Sequence, residues 1–354
     1  MFRRRASLKS TVGTGASLTA LVAVVAMAFL PSPFIAQLPG PTFDTLGESE
    51  DGPIIQVHDV ETYEADGELR LLTVSTRGNP EQPLNWAEAA TAYFTPGQIV
   101  IPMESVYGSI TVEERNQQSA AAMTDSQQTA VAAALVHQGH DVEVTVTAVG
   151  VVPDSPAEGI ILEGDRLVTI EGERIWDAHS IREATAAVDG AVDIVIERDG
   201  ERKTVSVTPE ETQGIKLIGV QAMAEYVFPF EVDIDLPNVG GPSAGTMFAL
   251  GIIDTLTPGS MTGGVAWAGT GTITAEGAVG GIGGVVQKMH GALDDGASWM
   301  LVPQDNCGEV VGNVPDGLHV VPVSTLDEAV AAIEQVAAAD GAPEAAAALP
   351  SCGG

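Results

Sequence analysis

A serine and a lysine in the C-terminal half of the chain have the residue types expected of a nucleophile and its base. Ser243 lies in Gly241-Pro242-Ser243-Ala244-Gly245, and Lys288 follows it by 45 residues (288 − 243 = 45). Lys288 is also the only Lys or Arg after Lys216, that is, in the last 138 residues (354 − 216 = 138). A serine hydroxyl attacks a carbonyl group when a neighbouring base removes its proton, and a neutral lysine amine can be that base. The two residues therefore predict a Ser-Lys nucleophile.

A lysine is a base at neutral pH only where its surroundings lower the pKa of the amine. The unperturbed pKa is about 10.4, so burial must lower it by about 3 units, at a cost of roughly 4 kcal/mol. A helix that starts near Gly284 places Gly284, Val285, Gly291 and Ala292 on the face of Lys288, three or four positions away. This face is small and apolar. We therefore expect a dry niche around the amine.

The turn that carries the serine leads into a predicted helix. A β-rich segment at 230–236 precedes the turn, and the apolar residues after Ser243 predict a helix from about Ala244 to Leu256. N–H groups at the start of a helix carry partial positive charge and can hold a developing oxyanion. Gly241 is assigned a supporting role in this tight turn. Taken alone, Ser243 is equally typical of a helix N-cap.

Length and charge limit the classes of function. At 354 residues the chain suits two folded units and an anchor. Its 48 acidic and 15 basic residues give a formal net charge of −33, which repels nucleic acids and anionic membrane surfaces, so no nucleic-acid partner is expected. His137 and His140 are three residues apart, but Gly139 ends the helix between them and no third ligand is indicated. We predict no metal site and no cofactor.

The N-terminus has the pattern of an export signal. Arg3-Arg4-Arg5 and Lys9 precede an uncharged apolar stretch, Val12–Leu30, which predicts a single-pass signal anchor with the remaining chain on the extracytoplasmic side of the cell membrane. Ala26-Met27-Ala28 also resembles a signal cleavage site, and we favour the anchor. In such a compartment Cys307 and Cys352 either form a disulfide or stay unpaired, and the sequence leaves both open.

The middle of the chain has the marks of a peptide-binding module. A Ser-Pro-Ala turn at 155–157, a Gly-Asp turn at 164–165 and a strand pair at 192–198 and 202–207 follow one another. This succession resembles a bacterial PDZ module, which implies binding of extended peptides by strand addition. A Gly-Leu-Gly-Phe-like carboxylate loop is not found before Val149. The sequence therefore argues against capture of a free C-terminus and leaves an internal extended segment open as the ligand.

A set of specific motifs follows this module. They are Gly-Pro-Ser-Ala-Gly at 241–245, Gly-Thr-Gly-Thr-Ile-Thr at 269–274, Gly-Ala-Val at 277–279, Gly-Ile-Gly-Gly at 281–284, Lys288 and Val-Pro-Gln-Asp-Asn at 302–306. With the 69–75 strand and a helix from Thr124 to His137, they resemble the proteolytic domain of the Lon family, and more closely the membrane-anchored, PDZ-containing Lon-like serine proteases of bacteria. The resemblance implies Ser243 as nucleophile, Lys288 as general base and Thr270 as the residue that orients the lysine amine.

The resemblance also implies the architecture. We expect an α+β fold in which a Lon-type proteolytic domain carries an inserted PDZ domain and an N-terminal membrane anchor. The predicted segments are an n-region and signal anchor at 1–37, the N-terminal part of the Lon-like domain at 38–140, the PDZ domain at 141–210, the catalytic domain at 211–338, and a disordered low-complexity tail at 339–354. Lon domains commonly form rings, so the resemblance is compatible with a homo-oligomer. The sequence does not give the number of subunits.

Three functions remain to be compared. The sequence lacks a Gly-x-x-x-x-Gly-Lys-Ser/Thr phosphate loop, so the first is an ATP-independent extracytoplasmic serine endopeptidase to which the PDZ module recruits extended or unfolded proteins. The second is an α/β-hydrolase-type esterase that uses the Gly-x-Ser-x-Gly serine, with Asp305 or Asp316 and His319 as its partners. The third is a non-catalytic PDZ adaptor.

Overall fold

The computed structural model describes Val25 and residues 28–49, 52–212 and 214–353. The anchor predicted over Val12–Leu30 lies for the most part outside these residues. Within the described ranges, no helix is long and apolar enough to cross a membrane.

Twenty strands are present in the described ranges. They are β1 Phe34–Asp44, β2 Glu48–Ser49, β3 Gly52–Pro53, β4 Ile55–Val57, β5 Glu68–Arg77, β6 Ile99–Pro102, β7 Glu143–Val151, β8 Arg166–Ile170, β9 Glu173–Arg174, β10 Val192–Arg198, β11 Glu201–Val207, β12 Glu210–Thr212, β13 Ile215–Leu217, β14 Val220–Val227, β15 Val232–Ile234, β16 Ala266–Gly269, β17 Thr272–Ile273, β18 Val279–Gly280, β19 Trp299–Pro303 and β20 His319–Val323.

Eight α-helices accompany the strands in the same ranges. They are α1 Trp86–Tyr93, α2 Glu104–Tyr107, α3 Val112–His137, α4 Ala178–Ala187, α5 Gly245–Leu256, α6 Val285–Asp294, α7 Cys307–Val310 and α8 Leu326–Ala337. Helix α3 begins well before the predicted start at Thr124. Thr111 and Glu114 form a capping box, in which each side chain accepts a hydrogen bond from the backbone N–H of the other residue, and this fixes the earlier start.

The first folded unit, called the catalytic unit below, is built on a six-stranded mixed sheet. The strand order is β20-β19-β16-β5-β1-β6, with β20, β19, β16 and β5 parallel and β1 antiparallel to both of its neighbours. Helices cover both faces of this sheet, so the unit has a mixed α/β arrangement. The parallel strands end at one edge, where the segments after their carboxyl ends come together.

Alternating side chains of the strands divide the core of the catalytic unit between the two faces of its sheet. On one face, residues such as Leu69, Trp267 and Leu301 pack with α3, α5 and α8. On the other face, Leu72, Ala268 and Met300 pack with α6 and α7. Helix α5 is buried on every side from Gly245 to Asp254, which explains its continuous apolar sequence.

The second unit, called the inserted unit, is an antiparallel sheet with its own hydrophobic core. Its strand order is β11-β10-β8-β7-β14, with β9 beside β8, and the predicted pair β10–β11 is present. Strand β14 pairs with β7 along its whole length, so the sheet continues to Val227, beyond the predicted boundary at residue 210. Residues 138–142 and 228–231 connect the two units. The rings of His140 and Phe230, one from each connection, are in edge-to-face contact with their centroids 5.4 Å apart.

The C-terminal tail is folded onto the catalytic unit, contrary to the predicted disorder. Cys307 and Cys352 form a disulfide, and residues Pro343–Ala348 form a 3₁₀ helix. Leu349 packs against the main core, and the indole N–H of Trp299 donates a hydrogen bond to the carbonyl of Gly341. The alanine-rich composition predicted disorder. The segment is ordered because the disulfide holds it in place and the small alanine side chains then pack closely.

Candidate active site

Lys288 lies on the helix that the sequence predicted, with its side chain almost completely enclosed. Helix α6 begins directly after Gly284, whose backbone has a positive φ of 71°. A Cβ atom at Gly284 would lie 2.8 Å from Cγ2 of Val74, so the helix can approach β5 this closely only with glycine there. Val285 and Ala292 are buried beside Lys288, which is itself only 2% exposed. The dry niche expected from the sequence is present.

Ser243 lies in a turn that is held by hydrogen bonds to its backbone. The N–H of Gly241, which has a φ of 91°, donates to the carbonyl of Ser119 at 2.8 Å. The hydroxyl of Ser126 donates to the carbonyl of Pro242 at 3.0 Å, and the N–H of Gly271 donates to the carbonyl of Ser243 at 2.9 Å. These bonds fix the turn to α3 and to the segment after β16. The serine side chain remains partly exposed.

The structure brings Ser243, Thr270 and Lys288 together at the carboxyl end of β16. The Lys288 Nζ atom lies 2.8 Å from Ser243 Oγ and 2.8 Å from Thr270 Oγ1. The Thr270 hydroxyl donates to the carbonyl of Ser243 at 2.9 Å, so its oxygen is left to accept a hydrogen bond from the amine. With one N–H held by Thr270, the lone pair of the neutral amine is free to receive the serine proton.

Burial controls the charge of this amine. Loss of hydration lowers the pKa of Lys288 from 10.5 to about 7. This value agrees with the shift that the sequence argument required. At neutral pH a substantial fraction of Lys288 is therefore uncharged and able to accept a proton.

A groove of about 970 Å³ runs past the serine and lysine. Apolar side chains form much of its wall, among them Phe43, Ile54, Leu72, Met123 and Leu236. A groove of this volume with an apolar wall can hold a segment of a polypeptide beside the serine.

Two backbone N–H groups beside the serine are placed to stabilise negative charge. The first N–H groups of α5 are already used, because Gly245 donates to Pro242 and Thr246 donates to Gly271. In the described part of the chain no acceptor contacts the N–H of Ser243 or of Ala244. The oxyanion site expected at the helix start therefore moves to these two residues.

Some residues of the site carried no clear signal in the sequence. The Asn306 side chain accepts from the N–H of Ile282 at 2.9 Å and donates to its carbonyl at 2.8 Å, which anchors the loop before α6. Asn306 belongs to a motif that the sequence analysis singled out, but without a role. Ser119 and Ser126 hold the serine turn from α3, and only the packing of distant segments shows this.

The residues of the esterase alternative do not meet at the serine. His319 begins the edge strand β20, and its ring lies against Trp299 with centroids 4.7 Å apart. His319 pairs with Trp299, which in turn pairs with Trp267 of β16. This level of the sheet is two residues before Gly269, the end of β16 near which Ser243 lies. Asp305 lies instead near Gly281. The structure thus supplies the serine with a lysine neighbour.

A second groove, of about 360 Å³, lies on the inserted unit between α4 and β14. Ile181 and Thr185 of the helix face Val220 and Ala222 of the strand across it. Strand β14 is the edge of its sheet in the described ranges, so its outer side is open to an added strand.

A glycine loop closes one end of this second groove. Gly219 has a φ of 82°, and a Cβ atom there would lie 2.2 Å from that of Ser155. The carbonyls of Ile218 and Gly219 accept hydrogen bonds from the N–H groups of Ala157 and Val152. In a trans peptide the N–H points away from the carbonyl, so the N–H groups of Gly219 and Val220 point away from these donors. This loop directly precedes β14, the last strand of the inserted sheet in the chain, and does not precede Val149.

Comparisons with known proteins find a similarity in one part of the chain. Residues 230–335 match the family model of the Lon protease (S16) C-terminal proteolytic domain. The Lon protease of Azospirillum brasilense is 41% identical over 91 residues, which cover 25% of this chain and 11% of that protein. Lon protease 2 of Bacillus subtilis is 31% identical over 102 residues, which cover 28% of this chain and 18% of that protein. The chain therefore spans less than a fifth of the length of these relatives.

Among solved structures, the chain is similar to the PDZ domain of an SdrC-like protein from Listeria innocua. The identity is 21%, the match covers 22% of this chain and 92% of that chain, and the TM-score is 0.21. The corresponding domain from Listeria monocytogenes gives 17% identity and a TM-score of 0.20, covering 22% of this chain and 85% of that chain. The residues that match the family model, 230–335, contain Ser243, Thr270 and Lys288.

Proposed function

We propose that the protein is an ATP-independent serine endopeptidase in which Ser243 is the nucleophile and Lys288 the general base. The observation that carries this proposal is the buried Lys288 amine, 2.8 Å from the Ser243 hydroxyl and oriented by Thr270. The match to a Lon proteolytic domain supports the reaction class.

The geometry suits acyl transfer in two steps. Ser243 Oγ attacks the peptide carbonyl while Lys288 takes its proton, and the N–H groups of Ser243 and Ala244 hold the oxyanion. The charged amine then returns the proton to the leaving nitrogen, and the peptide bond breaks to give an acyl-enzyme. A water molecule, deprotonated by Lys288, attacks the ester. Collapse of this second intermediate returns the proton to Ser243 and releases the acid.

The inserted unit gives this peptidase a means of recruitment. We assign it the PDZ role, in which an extended segment adds to the free edge of β14 and packs side chains against α4. The outward N–H groups of Gly219 and Val220 can donate hydrogen bonds to a terminal carboxylate. We therefore favour a free C-terminus over an internal segment as the ligand. An extracytoplasmic, membrane-anchored location is part of the proposal. It is supported by the basic N-terminus, the apolar segment after it and the Cys307–Cys352 disulfide.

Cleavage of an unfolded protein tests the proposed chemistry. We expect wild type to cleave unfolded casein, Ser243→Ala to leave it intact, and His319→Ala to cleave at the wild-type rate. Fragments are counted by mass spectrometry. Equal cleavage by wild type and Ser243→Ala would exclude Ser243 as the nucleophile. Loss of cleavage in His319→Ala alone would favour the esterase alternative, and binding of casein by wild type without cleavage would favour the adaptor.

The charge of Lys288 predicts a pH dependence. The base must be neutral, and burial lowers its pKa to about 7. We therefore expect kcat/KM for a peptide to rise with pH, about tenfold per unit below 7, and to level off above it. A fluorogenic peptide assay between pH 5 and 9 measures this, with buffers of constant ionic strength. A rate that falls as pH rises through 7 would contradict a lysine base.

A further inference from the structure

A cleft between the two units joins the second groove to the serine turn. It has a volume of about 500 Å³ and shares Ala178 and Arg182, both on α4, with the groove beside β14. Its opposite wall includes Pro242, the residue before Ser243. The cleft therefore adjoins the groove beside β14 at one end, and at Pro242 it reaches the residue that precedes the nucleophile.

The walls of this cleft are acidic. Asp125 of α3, Asp177 at the start of α4 and Asp305 before α7 line it, and Glu276 is next to it, with an oxygen 3.5 Å from the Ser180 hydroxyl. The positively charged or titratable groups among its lining residues are Arg182 and His179. Three carboxylates of the lining, with Glu276 beside them, thus outnumber one guanidinium and one imidazole, and the net charge is negative.

The carboxylates in and beside this cleft repel one another. The pKa of Asp125 is raised, first because neighbouring atoms partly desolvate it and then because Asp177 repels it. The pKa of Glu276 is raised by desolvation and by repulsion from Asp177 and Glu183, while Ser180 and His179 act in the opposite direction. A cation placed among these groups would relieve the repulsion, so the cleft is complementary to basic side chains.

The orientation of β14 determines which part of a bound peptide enters the cleft. Strand β14 begins at the Gly219 loop, where Thr185 near the C-terminal end of α4 also contacts the carbonyl of Lys216. The N-terminal end of α4, at Ala178, lies at the cleft. A peptide added antiparallel to β14 has its C-terminus at the Gly219 loop. Its preceding residues then leave the groove at the cleft.

We propose that the acidic cleft is the passage by which a polypeptide docked on β14 reaches Ser243. It selects polypeptides that carry lysine or arginine residues between a C-terminal docking segment and the scissile bond. This inference rests on the proposed peptidase function and adds a direction and a charge requirement to it. The bond that is cut lies N-terminal to the segment that is recognised.

Synthetic peptides with a common cleavable block test the direction and the charge. The block is the sequence around the fastest casein cleavage site, and it is extended on its C-terminal side by a lysine-containing or a glutamate-containing spacer that ends in a free apolar residue. A third peptide carries the lysine-containing extension on the N-terminal side. We expect the C-terminal lysine extension to raise kcat/KM about tenfold over both others, since one or two charge contacts are worth that much.

Two pairs of full-chain variants connect the effect to the proposed passage. Asp125→Lys reverses a charge in the cleft, and Glu334→Lys makes the same change on the exposed side of α8. Val220→Pro removes an outward N–H from the strand edge, whereas Val220→Ala keeps it. We expect Asp125→Lys and Val220→Pro to abolish the preference and their partners to retain it. Glu334→Lys, which lies outside both grooves and the cleft, should cleave the unextended block as wild type does.

The outcomes separate the passage from the chemistry. If wild type cleaves the block but shows no preference among the three extensions, or prefers the N-terminal one, the passage is wrong while the peptidase stands. The same holds if Asp125→Lys keeps the full preference. If wild type leaves casein intact, so that no cleavable block exists, the proposed peptidase fails and the passage fails with it.

Discussion

Replacement of Lys288 by methionine is expected to lower kcat by about four orders of magnitude and, at the same time, to stabilise the fold. The loss of activity follows because no other base contacts Ser243 in the described ranges, and removal of a base that acts with a serine typically costs this much. The stabilisation follows from the burial of an amine in an apolar niche.

The sign of the stability effect can be derived from the two pKa values of Lys288. The amine titrates near 10.5 when exposed and near 7 in the fold, so between these values the unfolded chain binds a proton that the folded chain has lost. Stability therefore rises with pH in this range, and at pH 8 the buried amine costs on the order of 3 kcal/mol. Methionine has a similar length and no charge, so we expect a net gain of about 1–3 kcal/mol.

Urea unfolding at pH 6 and pH 9 measures this effect. The advantage of Lys288→Met should be larger at pH 6, where the wild-type amine is charged when buried. Lys288→Ala is the matched control, because it loses the base equally but leaves a cavity that offsets the gain. A Lys288→Met protein that is less stable than wild type at both pH values would contradict the dry niche. Retained peptidase activity would contradict the role of the base.

Removal of the disulfide is expected to have the largest destabilising effect on the fold. Cys307 and Cys352 are 45 residues apart in sequence, and closure of a loop of this length stabilises a fold by about 4 kcal/mol. The change also reaches the site, because Cys307 follows Asn306, whose side chain anchors Ile282 before the lysine helix. We therefore expect Cys307→Ser/Cys352→Ser to lose both stability and, near its unfolding midpoint, activity.

Denaturant unfolding without reductant compares this double variant with wild type. Wild type treated with a reductant is the control and should unfold at the same denaturant concentration as the variant. If oxidised wild type, reduced wild type and the variant all unfold together, the tail contributes no stability through the disulfide. If reduced wild type and the variant unfold at the same denaturant concentration, below that of oxidised wild type, the disulfide stabilises the fold as expected.

The sequence was most informative where chemistry and local pattern coincide. Ser243 and Lys288 could be identified because a lone cation on a small apolar helix face is costly to bury and therefore indicates a chemical role for the amine. The helix start at Gly284 follows from the same residues. The strand pair β10–β11 was predicted with almost its final bounds because its period of two is regular. Local signals of this kind do not depend on distant contacts.

Other features depend on contacts that sequence spacing does not reveal. Ser126 reaches the serine turn from 116 residues away in the chain. The edge strand β14 begins ten residues after the predicted boundary (220 − 210 = 10) and still belongs to the inserted sheet. It does so because it pairs with β7, which is distant in the sequence. The Gly219 loop was missed for the same reason. Gly219 lies between the predicted end of the module at residue 210 and β14, outside the segment in which such a loop was expected.

The paired connections between the units limit how they can move. A domain on a single linker can rotate about it, whereas two neighbouring connections that touch each other restrict such rotation. Here the connections touch through His140 and Phe230. Trp176 and Tyr226 of the inserted unit also pack against the core of the catalytic unit. We therefore expect the inserted unit to keep one orientation toward the nucleophile, and a pair of spectroscopic labels, one on each unit, to report a single narrow distance.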